Sequence, residues 1–169
     1  MQTKKLTHLA LLTAIALILF VVEAQIPPPV PVPGVKLGLS NIITLVALIC
    51  YGPKDALLVL ITRILLGSFF CAQLMTLFFS LAGGLLCFAL CACLYRHFSL
   101  QKLWCLSMLG ACAHNIGQIL VAIVVTGTVD ILWYLPILLV SGIVTGIFTG
   151  LIARYFLEHL NAIHTAVQQ

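Results

Sequence analysis

One long apolar stretch constrains this chain more than any other feature. From Ala56 to Leu94 the sequence carries a single charged residue, Arg63. Such a stretch is too long for one helical crossing of a bilayer, which takes about 20 apolar residues at about 1.5 Å each. Only 7% of the 169 residues are charged, against about 25% in soluble domains, so a water-soluble surface cannot be built. We therefore expect an all-α integral membrane protein whose outside is covered by lipid.

The apolar segments and the turns between them predict a bundle of six transmembrane helices, forming a single transmembrane domain over residues 1–169. The predicted helices cover about residues 6–22, 39–51, 54–67, 74–95, 103–126 and 131–157. Lys4 and Lys5 precede the first apolar segment, which we interpret as a spanning helix rather than a signal peptide. A proline-rich loop, residues 23–38, follows it; so many prolines cannot be helical, and lipid cannot solvate such a backbone.

The Gly52-Pro53 dipeptide leaves two helix counts open. If it is only a kink, the second and third helices merge and five spans remain; if it is a turn, there are six. With six spans and a cytoplasmic N-terminus, Lys36 is outside and the inner side holds six basic residues, namely Lys4, Lys5, Lys54, Arg96, Lys102 and Arg154. The positive-inside rule therefore favours six spans, with both termini in the cytoplasm and the proline-rich loop outside.

Arg63 is the first candidate functional residue, because it lies in the middle of the third predicted helix. A charge at the centre of a spanning helix costs about 2.5–3.5 kcal/mol on insertion scales, so such residues usually face a cavity or a partner. Its guanidinium suits a carboxylate or a phosphate. The alternative is that the arginine satisfies helix-end carbonyls or extends its head group towards the interface.

A second candidate is the polar group His114, Asn115 and Gln118 in the fifth predicted helix. His114 and Gln118 are four residues apart and share a helix face, which is expected to point into the bundle. The group either binds a ligand or joins helices by hydrogen bonds. Whether Arg63 contacts these three residues is open at this level.

Small residues four positions apart indicate close helix packing. Gly142, Gly146 and Gly150 in the sixth helix are expected to pack within the bundle, and Ala10 and Ala14 in the first helix suit an external partner helix.

The seven cysteines lie mostly in apolar runs, where cysteine behaves as a small hydrophobe, so no metal site is predicted. The sequence has no phosphate-binding loop and no acidic pair, so we expect neither ATP use nor catalysis by this chain, and no cofactor.

Four motifs carry a resemblance to a known family. They are Pro33–Ile42 (PGVKLGLSNI), Arg63–Ser68 (RILLGS), Ser80–Gly84 (SLAGG) and Ala113–Gln118 (AHNIGQ). In this order they resemble the bacterial membrane proteins named heptaprenyl diphosphate synthase component I, also called the Gx transporter family. The resemblance covers about Leu6 to Leu157.

That family is in turn similar to the substrate-binding S components of energy-coupling factor (ECF) transporters. The similarity implies a six-helix protein of a bacterial plasma membrane, whose Ala10 and Ala14 dock on a transmembrane coupling subunit while separate chains supply the ATPases. It also implies that the loop after the first helix closes over the substrate.

The resemblance and the polar residues together predict a substrate-binding component of a small-molecule uptake transporter. The residues expected to contact the substrate are Lys36, Asn41, Arg63, His114, Asn115 and Gln118. Their donors and positive charges suit a small anionic or amphipathic molecule. The alternative function is a non-catalytic membrane subunit of prenyl diphosphate or quinone-precursor synthesis. The aspartate-rich magnesium motifs of prenyl diphosphate synthases are absent from the sequence.

Overall fold

The computed structural model describes residues 2–25, 38–71 and 74–167. Within these residues the chain forms six α-helices and no β-strand. The helices are α1 (Gln2–Gln25), α2 (Asn41–Tyr51), α3 (Pro53–Cys71), α4 (Leu74–Leu94), α5 (Leu103–Thr126) and α6 (Leu135–Val167). Short 3-10 turns, Tyr95–His97, Leu100–Lys102 and Val129–Tyr134, connect the last three. Lys36, Gln73 and most of the proline-rich loop lie outside the described residues.

Gly52 separates α2 from α3. Its φ of +86° lies in a region that residues with a β-carbon rarely adopt, and its N–H donates to the carbonyl of Leu48 at 3.1 Å. Pro53 then begins α3, where its missing N–H is tolerated because the first helical turn has no internal acceptor to serve. The dipeptide is therefore a turn between two distinct helices.

Several helix boundaries differ from those expected: α1 is longer at both ends, and α6 runs to Val167 rather than to residue 157. α3 continues through Gly67 to Cys71, beyond its predicted end at residue 67, and α4 begins at Leu74 as predicted. Gly67 has a packing role: a β-carbon there would lie 2.7 Å from the ring of Phe20 in α1. α6 begins at Leu135, since Pro136 suits a first helical turn and the preceding residues form a 3-10 turn.

α5 and α6 pack along the predicted glycine stripe of α6. A β-carbon at Gly146 would lie 2.6 Å from the Cα of Met108, and one at Gly150 would lie 2.5 Å from the Cα of Trp104. Gly142 faces Asn115 in the same crossing. Because backbone sits opposite backbone here, the two helices cannot separate or rotate without losing the contact.

One end of the bundle, here called the basic end, gathers the start of α1, the α2–α3 turn and the α4–α5 connection. An apolar cluster there includes Leu9, Leu48, Leu103 and Leu157, from four different helices. The basic residues near it are Lys4, Lys5, Lys54, Arg96, Lys102 and Arg154. Lys5 forms an ion pair of 2.7 Å with Asp55, which ties α1 to the start of α3.

The outside of the bundle is apolar. Four segments of the described chain are long and apolar enough to cross a bilayer, namely Thr3–Glu23, Met75–His97, Leu100–Thr126 and Val129–Leu160. α2 is only 11 residues long, and α3 contains three charged residues. Phe69, Val124 and Trp133 are each 82% exposed. Large apolar side chains in such positions favour contact with lipid, so the long apolar helices indicate a membrane protein.

Candidate functional site

Arg63 is buried, and its partners are at the start of α2. The guanidinium donates from Nη2 to the side-chain carbonyl of Asn41 at 2.9 Å and from Nη1 to the hydroxyl of Ser40. No hydrogen-bond partner for its Nε is found in the described part of the chain. α2 and α3 are antiparallel, so the middle of α3 lies level with the first turn of α2, where the N–H groups and side chains are not all committed to the helix. The arginine therefore holds the start of α2 inside the bundle.

Glu23, at the end of α1, is the second buried charge of this region. Its carboxylate accepts a hydrogen bond from the backbone N–H of Gly38, which stands directly before the α2 turn. Glu23 also lies close enough to Arg63 for their opposite charges to attract. A buried charge is tolerated when an opposite charge and hydrogen bonds replace water. The charges of Glu23, at the end of α1, and Arg63, in the middle of α3, therefore compensate each other.

A cavity lies between α2 and the α4–α6 half of the bundle, adjacent to this pair. Its volume is about 30 Å³, enough for about two water molecules. α2 contributes Asn41 and Leu45, with Gly38 just before it. α4 contributes two thiols, those of Cys87 and Cys91.

The opposite wall, formed by α5 and α6, is polar. Its side chains are Ser107, His114 and Asn115 from α5 and Thr145 and Thr149 from α6, with Ala111 between them. The amide nitrogen of Asn115 donates to the carbonyl of Leu138 at 2.5 Å, which fixes the side chain against α6. The hydroxyls of Ser107 and Thr149 are 2.9 Å apart and join the two helices.

Cys87 and Cys91 give the cavity a soft, weakly polar side. They are one helical turn apart on α4, and the thiol of Cys91 approaches the carbonyl of Leu106 at 3.8 Å. A β-carbon at Gly110 would lie 2.7 Å from the sulfur of Cys91 and 3.1 Å from that of Cys87. At position 110 of α5, therefore, only glycine fits against the two sulfur atoms. Within the described residues, no three His, Cys, Asp or Glu side chains converge in a way that could hold a metal ion.

The predicted binding residues divide into three groups. Asn41, His114 and Asn115 lie together on the cavity wall. Arg63 reaches that wall through its hydrogen bond to Asn41. Gln118 is buried one turn beyond His114 but is not part of the wall, and Lys36 lies outside the described residues. That any of them contacts a substrate stays a prediction.

Sequence reasoning did not select Cys87, Cys91, Thr145 or Thr149 as wall residues. The threonines carry a usable signal, because they are four residues apart and share the α6 face that holds the glycine stripe. The cysteines carry a weaker one, since thiols also occur at many positions that only pack.

A second concave surface, here called the α1–α3 groove, runs along the outside of the bundle. Its volume is about 410 Å³. α1 contributes Leu6, Leu9, Ala10, Thr13, Ala14 and Leu17, and α3 contributes Leu58, Val59, Thr62 and Leu66. Ala10 and Ala14 are both exposed, so their small side chains leave the α1 backbone accessible within the groove.

Comparison with known proteins identifies the family. A family model described as heptaprenyl diphosphate synthase component I matches residues 12–156. No curated protein and no solved structure matches the chain. The matched residues begin within α1, end within α6 and include the whole cavity wall. This chain therefore belongs to the family of heptaprenyl diphosphate synthase component I.

Proposed function

We propose that this chain is the substrate-binding membrane component of a small-molecule uptake transporter of the ECF type. Separate coupling and ATPase subunits would supply the energy. The observation that carries the proposal is the polar cavity between α2 and α4–α6, which lies inside a bundle whose exterior is apolar. Polar groups that face one another within a membrane protein commonly mark a substrate path.

We propose six crossings, with the basic end in the cytoplasm. Six of the eight lysines and arginines of the chain belong to that end, which supports the orientation by the positive-inside rule. α2 is about 16 Å long, roughly half of a hydrocarbon core of about 30 Å, so it would enter the bilayer only while covered by its neighbours. Its start would then lie near mid-membrane, together with Asn41 and Arg63. The membrane would be the bacterial plasma membrane.

Asn41, His114 and Asn115 would contact the substrate directly. Arg63 would act as a positioning residue that holds Asn41 on the cavity wall through the 2.9 Å hydrogen bond. Gln118, one helical turn beyond the wall, and Lys36 would also contact the substrate.

The chain would carry out no chemistry itself. Its four carboxylates are dispersed: Glu23 is engaged with Gly38, Asp55 with Lys5 and Glu158 with Arg154, and Asp130 precedes α6. A prenyl transfer reaction needs clustered carboxylates to hold magnesium and diphosphate, and this distribution does not provide them.

The α1–α3 groove would dock a transmembrane helix of the coupling subunit. The groove is apolar, and Ala10 and Ala14 offer the close backbone approach that favours helix pairing in lipid. Its position on the outside of the bundle would let the partner bind without entering the cavity.

A second function, a membrane subunit of a prenyl diphosphate synthase, is favoured by the family description itself. That description implies a partner synthase component. In this case the chain would anchor a catalytic partner at the membrane, and the α1–α3 groove would still be available for contact.

Partner identification separates the two functions. The tagged chain is purified in mild detergent from its own membrane, and the associated proteins and small molecules are identified by native mass spectrometry. Recovery of a coupling subunit and ATPases, with ATP-dependent substrate uptake after reconstitution, is the expected result. Recovery of a prenyltransferase without ATPases would instead support the synthase subunit.

A further inference from the structure

No Asp, Glu, Lys or Arg side chain lines the cavity between α2 and α4–α6. In the part of the chain that the structure describes, the only buried Asp, Glu, Lys or Arg side chains are Glu23 and Arg63, and neither lies on the wall. They carry opposite charges and attract each other. Their sum is zero, so this region offers no net charge to balance that of a bound ion.

The three hydroxyls on the polar side of the cavity, those of Ser107, Thr145 and Thr149, are arranged to accept hydrogen bonds rather than to donate them. The Thr149 hydroxyl donates to the carbonyl of Gly146 at 3.1 Å, and the Thr145 hydroxyl donates to that of Ser141 at 2.9 Å. With the Thr149 proton used in this way, Ser107 donates to Thr149 across their 2.9 Å contact. Each hydroxyl has one proton, so lone pairs are what remain. Lone pairs repel an anion and accept from N–H or O–H groups.

The opposite side does not supply an anion site either. The carbonyl of Asn41 is occupied by Arg63, which leaves its amide N–H groups as neutral donors. The remaining side chains there, Leu45, Cys87 and Cys91, are apolar or weakly polar. Moving an ion from water onto such a wall would cost several kcal/mol without a compensating charge.

We propose that this cavity, once it widens beyond its volume of about 30 Å³, receives a small uncharged polar molecule. The N–H or O–H groups of the molecule face α5 and α6, while its less polar side lies against the thiols of α4. The proposal differs from the anionic substrate that the sequence favours, because Arg63 is committed to the start of α2. It rests on the proposed function only in treating the bound molecule as a transported substrate.

The two native thiols allow the charge preference to be measured without a known substrate. The purified wild-type chain in detergent is treated at pH 8, where free imidazole is neutral, with three methanethiosulfonates of similar size. One carries a neutral hydroxyethyl group, one a sulfonatoethyl group and one a trimethylammonioethyl group. Peptide mass spectrometry follows modification at Cys87 and Cys91, and exposed Cys50 serves as the internal reference for intrinsic reactivity.

The neutral reagent is expected to modify Cys87 or Cys91 at least tenfold faster than either charged reagent, after division by the rates at Cys50. A charged reagent that equals or exceeds the neutral one overturns the proposal. So does complete labelling of Cys50 while both wall thiols stay unmodified by the neutral reagent, because the cavity would then admit no small molecule.

A Glu23→Gln, Arg63→Gln double variant, which removes both charges of the pair and keeps their sum at zero, adds a second comparison. The ratio of the sulfonate rate to the neutral rate at Cys87 is expected to stay within about twofold of wild type. A fall of tenfold or more would make Arg63 an anion-attracting residue of the cavity and contradict the proposal. If the variant does not fold, the three wild-type rates decide alone. All of these rates are measured on the isolated chain, so they are independent of whether coupling subunits are ever recovered.

Discussion

Arg63 in the middle of α3 donates a 2.9 Å hydrogen bond to Asn41 at the start of α2, twenty-two positions earlier in the chain. A second nitrogen of the same guanidinium binds Ser40. The forked shape of the group is what allows one side chain to hold two adjacent residues. Arg63 therefore links the helix hairpin α2–α3 to the wall of the cavity.

Arg63→Lys is expected to destabilise the protein although the charge is kept. An ammonium group cannot reproduce the fork, so one of the two bonds is lost, at a cost of about 1.5–3 kcal/mol for a hydrogen bond to a charged group. Thermal unfolding in detergent measures the effect. Arg154→Lys, at an exposed arginine paired with Glu158 on the same helix, is the matched control and should change stability little. Equal unfolding temperatures for Arg63→Lys and wild type would contradict the conclusion that Arg63 holds the start of α2 by two hydrogen bonds.

Gly117→Ala is expected to disrupt the crossing of α4 and α5. A β-carbon at this position would lie 2.7 Å from the carbonyl oxygen of Ala82 and 2.9 Å from the Cα of Gly83. These are backbone atoms and cannot move aside, so we expect a loss of about 1–3 kcal/mol.

Gly84→Ala in the same region is the control for this change. Its new methyl group would meet only the ends of the Ile64 and Leu60 side chains, at 3.1 Å and 3.3 Å, and these can shift. Thermal unfolding of the two variants, measured side by side, should therefore differ. If Gly84→Ala were the more damaging of the two, the helix crossing described here would be incorrect.

The hydrogen bond between Arg63 and Asn41 could have been predicted from the sequence. Each residue is eleven positions from Gly52. In an antiparallel helix hairpin, residues at equal distance from the turn lie at the same level, and a buried charge needs a partner at its own level. The sequence indicated that a charged Arg63 within the membrane needs a partner. Counting residues on either side of the turn at Gly52 was the further step that identifies Asn41 as that partner.

The position of Cys87 and Cys91 on the cavity wall was harder to predict from the sequence. α4 has only two hydroxyl side chains, Thr76 and Ser80, both in its first half, so the polarity of the sequence does not indicate which way Cys87 and Cys91 face. Their position depends on Gly110, which lets α5 approach the two sulfurs. The packing role of Gly142, Gly146 and Gly150 in α6 was easier to predict, because small residues spaced by four are themselves a signal of close helix packing.

The hydroxyl pair Ser107 and Thr149 should couple α5 to α6 energetically. A double-mutant cycle with Ser107→Ala and Thr149→Val is expected to give an interaction energy of about 0.6 kcal/mol, the usual size for hydrogen bonds between membrane helices. Reversible unfolding in mixed micelles provides the four stabilities. In the parallel cycle, Thr145→Val should be additive with Ser107→Ala, because within the described residues the Thr145 hydroxyl bonds to carbonyls of α6 and not to Ser107. Coupling in the second cycle but not in the first would contradict the assignment.

Filling the α1–α3 groove should prevent partner binding without unfolding the chain. Ala10→Leu and Ala14→Leu each add bulk at exposed positions of the groove, which would keep a partner helix from close approach to α1. We expect recovery of the coupling subunit with the tagged double variant to fall at least tenfold, while its unfolding temperature stays near that of wild type. Leu11→Phe adds bulk on another exposed part of α1 that does not line the groove, and it should leave recovery unchanged. Normal recovery with the double variant would place the coupling surface elsewhere on the bundle, whereas equal losses with Leu11→Phe would show that α1 as a whole, rather than the groove, contacts the partner.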